Sequence, residues 1–160
     1  MPLRVYIETT IPSFYFEARR TMDCVVRRRW TRQWWDCHRL EYTLATSLVV
    51  REELESADYP PRKRRDALAL ISALPLLDIA APVERVVQDY VENLLMPRQP
   101  AADALHLALA SYYACDVLLT WNCIHLANPN KFRHIASVNR RLGLPMPAVV
   151  TPLQLLGEDV

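Results

Sequence analysis

Glycine is almost missing from this chain: Gly143 and Gly157 are the two in 160 residues. Glycine-rich loops that cradle phosphates need several in a short stretch, so nucleotide sites of that kind are excluded. Cys-x-x-Cys pairs are missing too. The four cysteines stand at 24, 37, 115 and 123. Neither Cys37 beside His38 nor Cys123 near His125 has the spacing of a structural zinc site. No apolar run approaches the roughly 18 residues of a membrane span, and the polar-flanked first strand does not read as a secretory signal. The expectation is a cytoplasmic protein with reduced thiols and no membrane attachment. Nor is there an excess of one charge. Lys and Arg number 19 against 18 Asp and Glu, a net charge of +1, so any polyanion must be held by local clusters.

What is present fits one globular domain spanning 1–160. Apolar residues make up 51% and charged residues 23%, which is too apolar for a disordered chain and long enough for a full core. Prolines at 60, 61, 75, 82, 97 and 100 fall between apolar runs and punctuate them. Leu3 to Ile7 reads as a buried strand, and Thr9–Thr10 as the cap of a short helix. A helix is expected over 22–40, a strand over 41–45, and a helix capped by Thr46 or Ser47. Further helices are expected over 61–74 and 82–95, with a strand in LPLLDIA between them. After a linker at 97–100, a helix carries AADALHLALASYYA. DVLLTW then makes a strand, two short helical segments fill 125–142, and PAVVTP makes a fifth strand. Strands alternate with helices and are continuously apolar. That pattern predicts a three-layer α/β/α sandwich with a mostly parallel central sheet of about five strands.

Four oxygen-bearing side chains stand at the edges of these apolar elements. Glu8 ends LRVYIE, Asp103 opens the Ala-rich helix, and Asn122 follows DVLLTW. The pair Glu52–Glu53 lies early in the helix after TLATSLVV, and the sequence leaves open which of the two faces inward. In parallel sheets, ligands bind beyond the carboxyl ends of the strands where the strand order reverses. Carboxylates repel one another, so their convergence there implies a hard divalent cation. Each acid alone has a plainer reading, such as Asp103 facing a helix dipole. His106 and His125 read as local packing or hydrogen-bonding residues.

The segments VYIETTIPSFY, SLVVREEL, AADALHLALA and DVLLTWN together resemble the PIN domain, the ribonuclease fold of VapC-like toxins from type II toxin–antitoxin systems. The resemblance covers most of the chain. It implies a metal-dependent endoribonuclease with Glu8, Glu53, Asp103 and Asn122 as catalytic residues. Glu8, Glu53 and Asp103 would hold Mg²⁺ or Mn²⁺, Thr9 would stand beside the first acid, and no organic cofactor is implied. It also implies RNA as substrate, a homodimer, and a small antitoxin protein as partner. Two departures mark the chain as atypical: Glu8 replaces the usual Asp, and Asn122 is a neutral amide where the family places Asp. Glu8, one methylene longer, would seat the metal differently, and the charge lost at Asn122 predicts weaker cation binding; a catalytically weak or inactive RNA-binding or interaction module is the alternative.

Basic residues cluster at Arg19–Arg20, at Arg27, Arg28 and Arg29, and at Arg62, Lys63, Arg64 and Arg65. The last two clusters are candidates for guiding an RNA backbone; solvated helix faces are the alternative. Trp30, Trp34 and Trp35 share one helix, and that helix is the candidate apolar partner surface.

Overall fold

The computed structural model describes residues 1–157; the last three residues of the expected domain lie outside that range. Strand β1 (Arg4–Ile7) leads through α1 (Thr10–Tyr15) and α2 (Met22–His38) to β2 (Thr43–Ser47). Helices α3 (Leu48–Ser56) and α4 (Pro61–Ile71), strand β3 (Leu76–Leu77) and α5 (Ala81–Glu92) follow. The chain continues with α6 (Ala102–Tyr112), β4 (Val117–Leu119), α7 (Pro129–Leu142), β5 (Ala148–Val150) and α8 (Pro152–Leu156). The strands lie in the order β3-β2-β1-β4-β5, and every pairing is parallel. Val5, Tyr6 and Ile7 of β1 and Leu118 and Leu119 of β4 are fully buried. They need to be apolar at successive positions because helices cover both faces of the sheet. The α/β/α sandwich with five strands expected from the alternating apolar runs is therefore present.

Element boundaries differ from expectation where local chemistry competes. The second strand starts at Thr43 rather than Glu41, because residues 39–41 form a single 3₁₀ turn. Thr46 is still in the ladder, and Ser47 is the N-cap of α3. The span 125–142, read as two short segments, contains one helix over Pro129–Leu142. Asn128 caps it, Pro129 fixes its first turn, and Gly143 ends it at φ 72° in the left-handed region. Helix α8 was missed, although Thr151 and Gln154 form a capping box there. Trp34 and Trp35 are buried in the core. The expected apolar partner surface on α2 is therefore not available from these two residues; only Trp30 remains half-buried.

A buried acid ties α1 to α4. Glu17 accepts from both Nε and Nη2 of Arg19 at 2.9 Å and from the backbone N–H groups of Ala18 and Arg19. The Lys63 ammonium stands 3.6 Å from its other oxygen and 4.3 Å from the Tyr59 ring centroid. The Arg19 hydrogen bonds outweigh burial and lower the Glu17 carboxyl to about 2. Its stabilisation is complete above the unfolded value of about 4.3 and is lost as pH falls toward about 2. Glu17→Gln should cost about 1–3 kcal/mol at pH 7. Urea unfolding at pH 7, 4 and 3 should then show a shallower acid loss in the variant; parallel losses would contradict this role.

Candidate metal centre

The sheet order changes direction between β1 and β4. Both strands end at the same edge, so the residues just beyond them meet. Glu8 follows β1, and its N–H donates to Leu119 O at the end of β4 (3.2 Å). Thr120, Trp121 and Asn122 follow β4. Helix α3 starts directly at the end of β2 and swings Glu53 toward the same edge. Helix α6 presents Asp103 and, one turn later, His106 on its buried face.

Glu8 is 3% exposed. Its Oε1 accepts from the Thr10 N–H (3.0 Å), the Thr10 hydroxyl and the Thr120 hydroxyl (2.7 Å). Oε1 of Glu53 accepts from the Thr9 hydroxyl and pairs with His106 Nε2 at 2.6 Å. The other ring nitrogen, Nδ1, lies 2.7 Å from the Tyr6 hydroxyl, which is 2.8 Å from Ser47 Oγ. Each carboxylate thus commits Oε1 to the protein. Neither Oε2 has a hydrogen-bond partner among the described residues. One ligand atom from each of Glu8, Glu53 and His106 lies within 4.8 Å of the others.

Burial raises the Glu8 carboxyl above its ordinary value, and this wins over the opposing His106 charge and the threonine donors. Burial acts the same way on Glu53, but there His106 and Thr9 win and its carboxyl falls below the usual value. For His106, burial works against the cation. The Glu53 hydrogen bond and the charges of Glu8, Glu53 and Asp103 overcome it and raise the imidazole. The raised imidazole favours its charged form, and that form offsets the charge of the neighbouring carboxylates.

Of the residues singled out in the sequence, Glu8 and Glu53 meet. Glu52 points to solvent, which separates the two adjacent acids. Asp103 stands one turn before His106 and accepts from Asn122 Nδ2 (3.1 Å). It lies outside the closest triad, where His106 stands instead. The carbonyl of Asn122 accepts from the N–H groups of Ile124 (3.3 Å) and His125 (3.0 Å), so this amide orders the loop after β4. Arg28 and Arg29 are exposed. Arg27 lies over the Trp121 ring at 5.2 Å. In the second basic cluster, Lys63 is engaged by Glu17, and Arg64 donates to Ala57 O. Arg65 is exposed, and Arg62 is exposed with Asp66 3.8 Å away. The sequence reads His106 as a packing or hydrogen-bonding residue; it does hydrogen-bond at both ring nitrogens, but to distant site groups rather than local ones. Its spacing of three from Asp103 was the available signal, since i and i+3 share a helix face.

The donor set suits a hard divalent ion: two carboxylates, each held through Oε1 by hydroxyl, N–H or imidazole partners and each keeping Oε2 unshared among the described residues. No protein-family model matches the sequence, and no curated protein matches it. Among solved structures, the crystal structure of VapBC2 from Rickettsia felis bound to a DNA fragment from their promoter contains a similar chain. The TM-score is 0.52 at 12% identity, with 93% of this chain and 98% of that chain covered. At that identity the likeness is one of fold, the PIN-like sandwich. No helix among the described residues is long and apolar enough to cross a membrane.

Proposed function

We propose that the protein is a divalent-metal-dependent endoribonuclease of the VapC-like kind, with Mg²⁺ or Mn²⁺ as cofactor. One observation carries the reading. Glu8 and Glu53 are held from behind by Thr10, Thr120, Thr9 and His106 while both keep an unshared Oε2. Glu8 is buried and Glu53 half-buried beside it, and the single His106 imidazole can offset only one of the two negative charges, which leaves a place for a further cation.

A bound ion would lower the pKa of an attacking water and neutralise charge on the phosphodiester. Glu8 and Glu53 would be its ligands from the protein, with Asp103 completing the acid set. Thr9 fixes the rotamer of Glu53 through its hydroxyl. Asn122 fixes Asp103 through Nδ2 and holds the loop after β4. His106 limits repulsion between the two glutamates. Exposed Arg28, Arg29, Arg62 and Arg65 would steer the RNA backbone, with Arg27 closer to the site. The same reading includes a cytoplasmic setting, a homodimer, and a small antitoxin protein that closes the groove.

The Asn122 carbonyl, satisfied by two backbone donors, favours a second reading. With the fourth acid replaced by a loop-ordering amide, the fold would bind RNA with little or no turnover. Cleavage of a labelled structured RNA with Mn²⁺, Mg²⁺ or EDTA separates the two. The nuclease reading expects Mn²⁺- or Mg²⁺-dependent products that Asp103→Asn abolishes without loss of fold. Intact RNA in every metal, or cleavage undiminished in the variant, would refute it.

A further inference from the structure

We infer that Trp30, stacked on Trp121 and flanked by Arg27, is a base-stacking platform for single-stranded RNA beside the metal centre. The inference rests on the ribonuclease reading and extends it to how substrate is seated.

Trp121 directly precedes Asn122 and is 6% exposed. It is locked at both ends. Its backbone N–H donates to Thr10 Oγ1 at 2.7 Å, and its indole N–H donates to Thr31 Oγ1 at 2.7 Å. The same Thr10 hydroxyl donates to Glu8 Oε1, so the ring is anchored two hydrogen bonds from the first acid. Trp30 stacks on it with centroids 6.2 Å apart and planes at 23°. The Arg27 guanidinium lies 5.2 Å from the Trp121 centroid and 5.6 Å from that of Phe14.

Trp34 and Trp35, on the next turn of α2, are 0% and 5% exposed. Trp30 stays half-buried although its ring is rigidly backed. A rigid, partly exposed indole is a stacking surface of low entropic cost, and every base offers a π-face to it. The neighbouring charge selects the occupant. Arg28 and Arg29 are exposed and form no ion pair among the described residues. Arg27, one turn before Trp30, shares its side of α2, while Arg28 and Arg29 lie on the adjoining exposed sides; a second copy of this chain docking along α2 would bring these like charges together, whereas a polyanion would neutralise them.

The test is binding of a fluorescein-labelled ten-nucleotide oligoadenylate RNA to the full chain in EDTA, where cleavage is silent. An abasic ribose-phosphate oligomer of equal length is the control. Trp30→Leu should weaken oligoadenylate binding by about 5- to 150-fold, the range for losing one stacked base. Trp30→Phe should stay within about threefold of wild type, and the abasic oligomer should bind all three proteins alike. Quenching of wild-type tryptophan fluorescence by oligoadenylate, and not by the abasic oligomer, gives a readout that needs no substitution. Equal oligoadenylate affinity in wild type and Trp30→Leu, equal loss for the abasic oligomer, or no base-dependent quenching would overturn the platform. Because binding is read without metal, failure here is distinct from failure of the cleavage assay.

Discussion

Glu53→Gln is expected to lower metal-dependent RNA cleavage by about a thousandfold, while Glu52→Gln leaves it within about twofold of wild type. The two side chains are chain neighbours of the same chemistry, so composition and net charge change equally. Only Glu53 reaches the centre; Glu52 is exposed. A Gln at 53 still accepts from Thr9 and His106 through its carbonyl, so the local hydrogen bonds survive. What it loses is the anionic Oε2 that a hard cation needs. Metal activation is worth several kcal/mol of barrier, and each 1.36 kcal/mol is tenfold in rate. Because Glu53 is half-buried, its thermal midpoint should move by only a few degrees. Single-turnover cleavage in Mn²⁺, read beside Mn²⁺ titration calorimetry, checks both parts. Equal losses in the two variants would mean that Glu53 has no special place.

The second large effect concerns His106. His106→Gln should destabilise the metal-free protein by about 3–5 kcal/mol, the usual cost of leaving a buried charge without its partner. His106 is fully buried and balances both glutamates. Its folded-state value is raised, so its stabilisation is present in full below the unfolded value of about 6.5. It is lost as pH climbs through the folded value. Glu8 is raised too, by burial, and contributes a fall of the same sign that begins lower, from about pH 4.3. The two titrate as a coupled set with Glu53. Wild-type stability without metal should therefore decline on the alkaline side of neutrality, and the variant should lack that decline. Manganese should rescue the variant, since saturation at a hundred times Kd adds about 2.7 kcal/mol. In wild type, metal affinity should rise with pH as the competing proton leaves. Denaturant titrations at pH 6 and 8, with and without Mn²⁺, decide the matter. A pH-independent wild type would show that His106 is neutral throughout.

Glu8, Asp103 and Asn122 stand out in the sequence because each lies at the edge of an apolar run, although each alone also has a plainer local reading. The parallel sheet was legible for a related reason: VYI and VLL are apolar at successive positions, as strands covered on both faces must be. His106 was obscure because a histidine in ALHLALA satisfies a core pattern equally well. Its partners lie 53 and 100 residues away in the chain. Tyr6 was hidden for the same reason. The stack of Trp30 on Trp121 joins residues that no periodicity links. The fate of Lys63 also depended on a distant group, Glu17, which local charge counting takes for a separate surface acid.

The placement of β1 at the middle of the sheet has a consequence for the order in which the molecule is made. Strand β1 leaves the ribosome well before β4 and must wait for it, and Glu8 must wait for Thr120, a donor 112 residues later. A nascent chain that has not yet emerged past that point has its second and third strands but only one side of the centre. On the ribonuclease reading, the half-built protein would be inert toward RNA in the ribosome that is making it. Competence arrives abruptly, when the late strand slots in beside the early one.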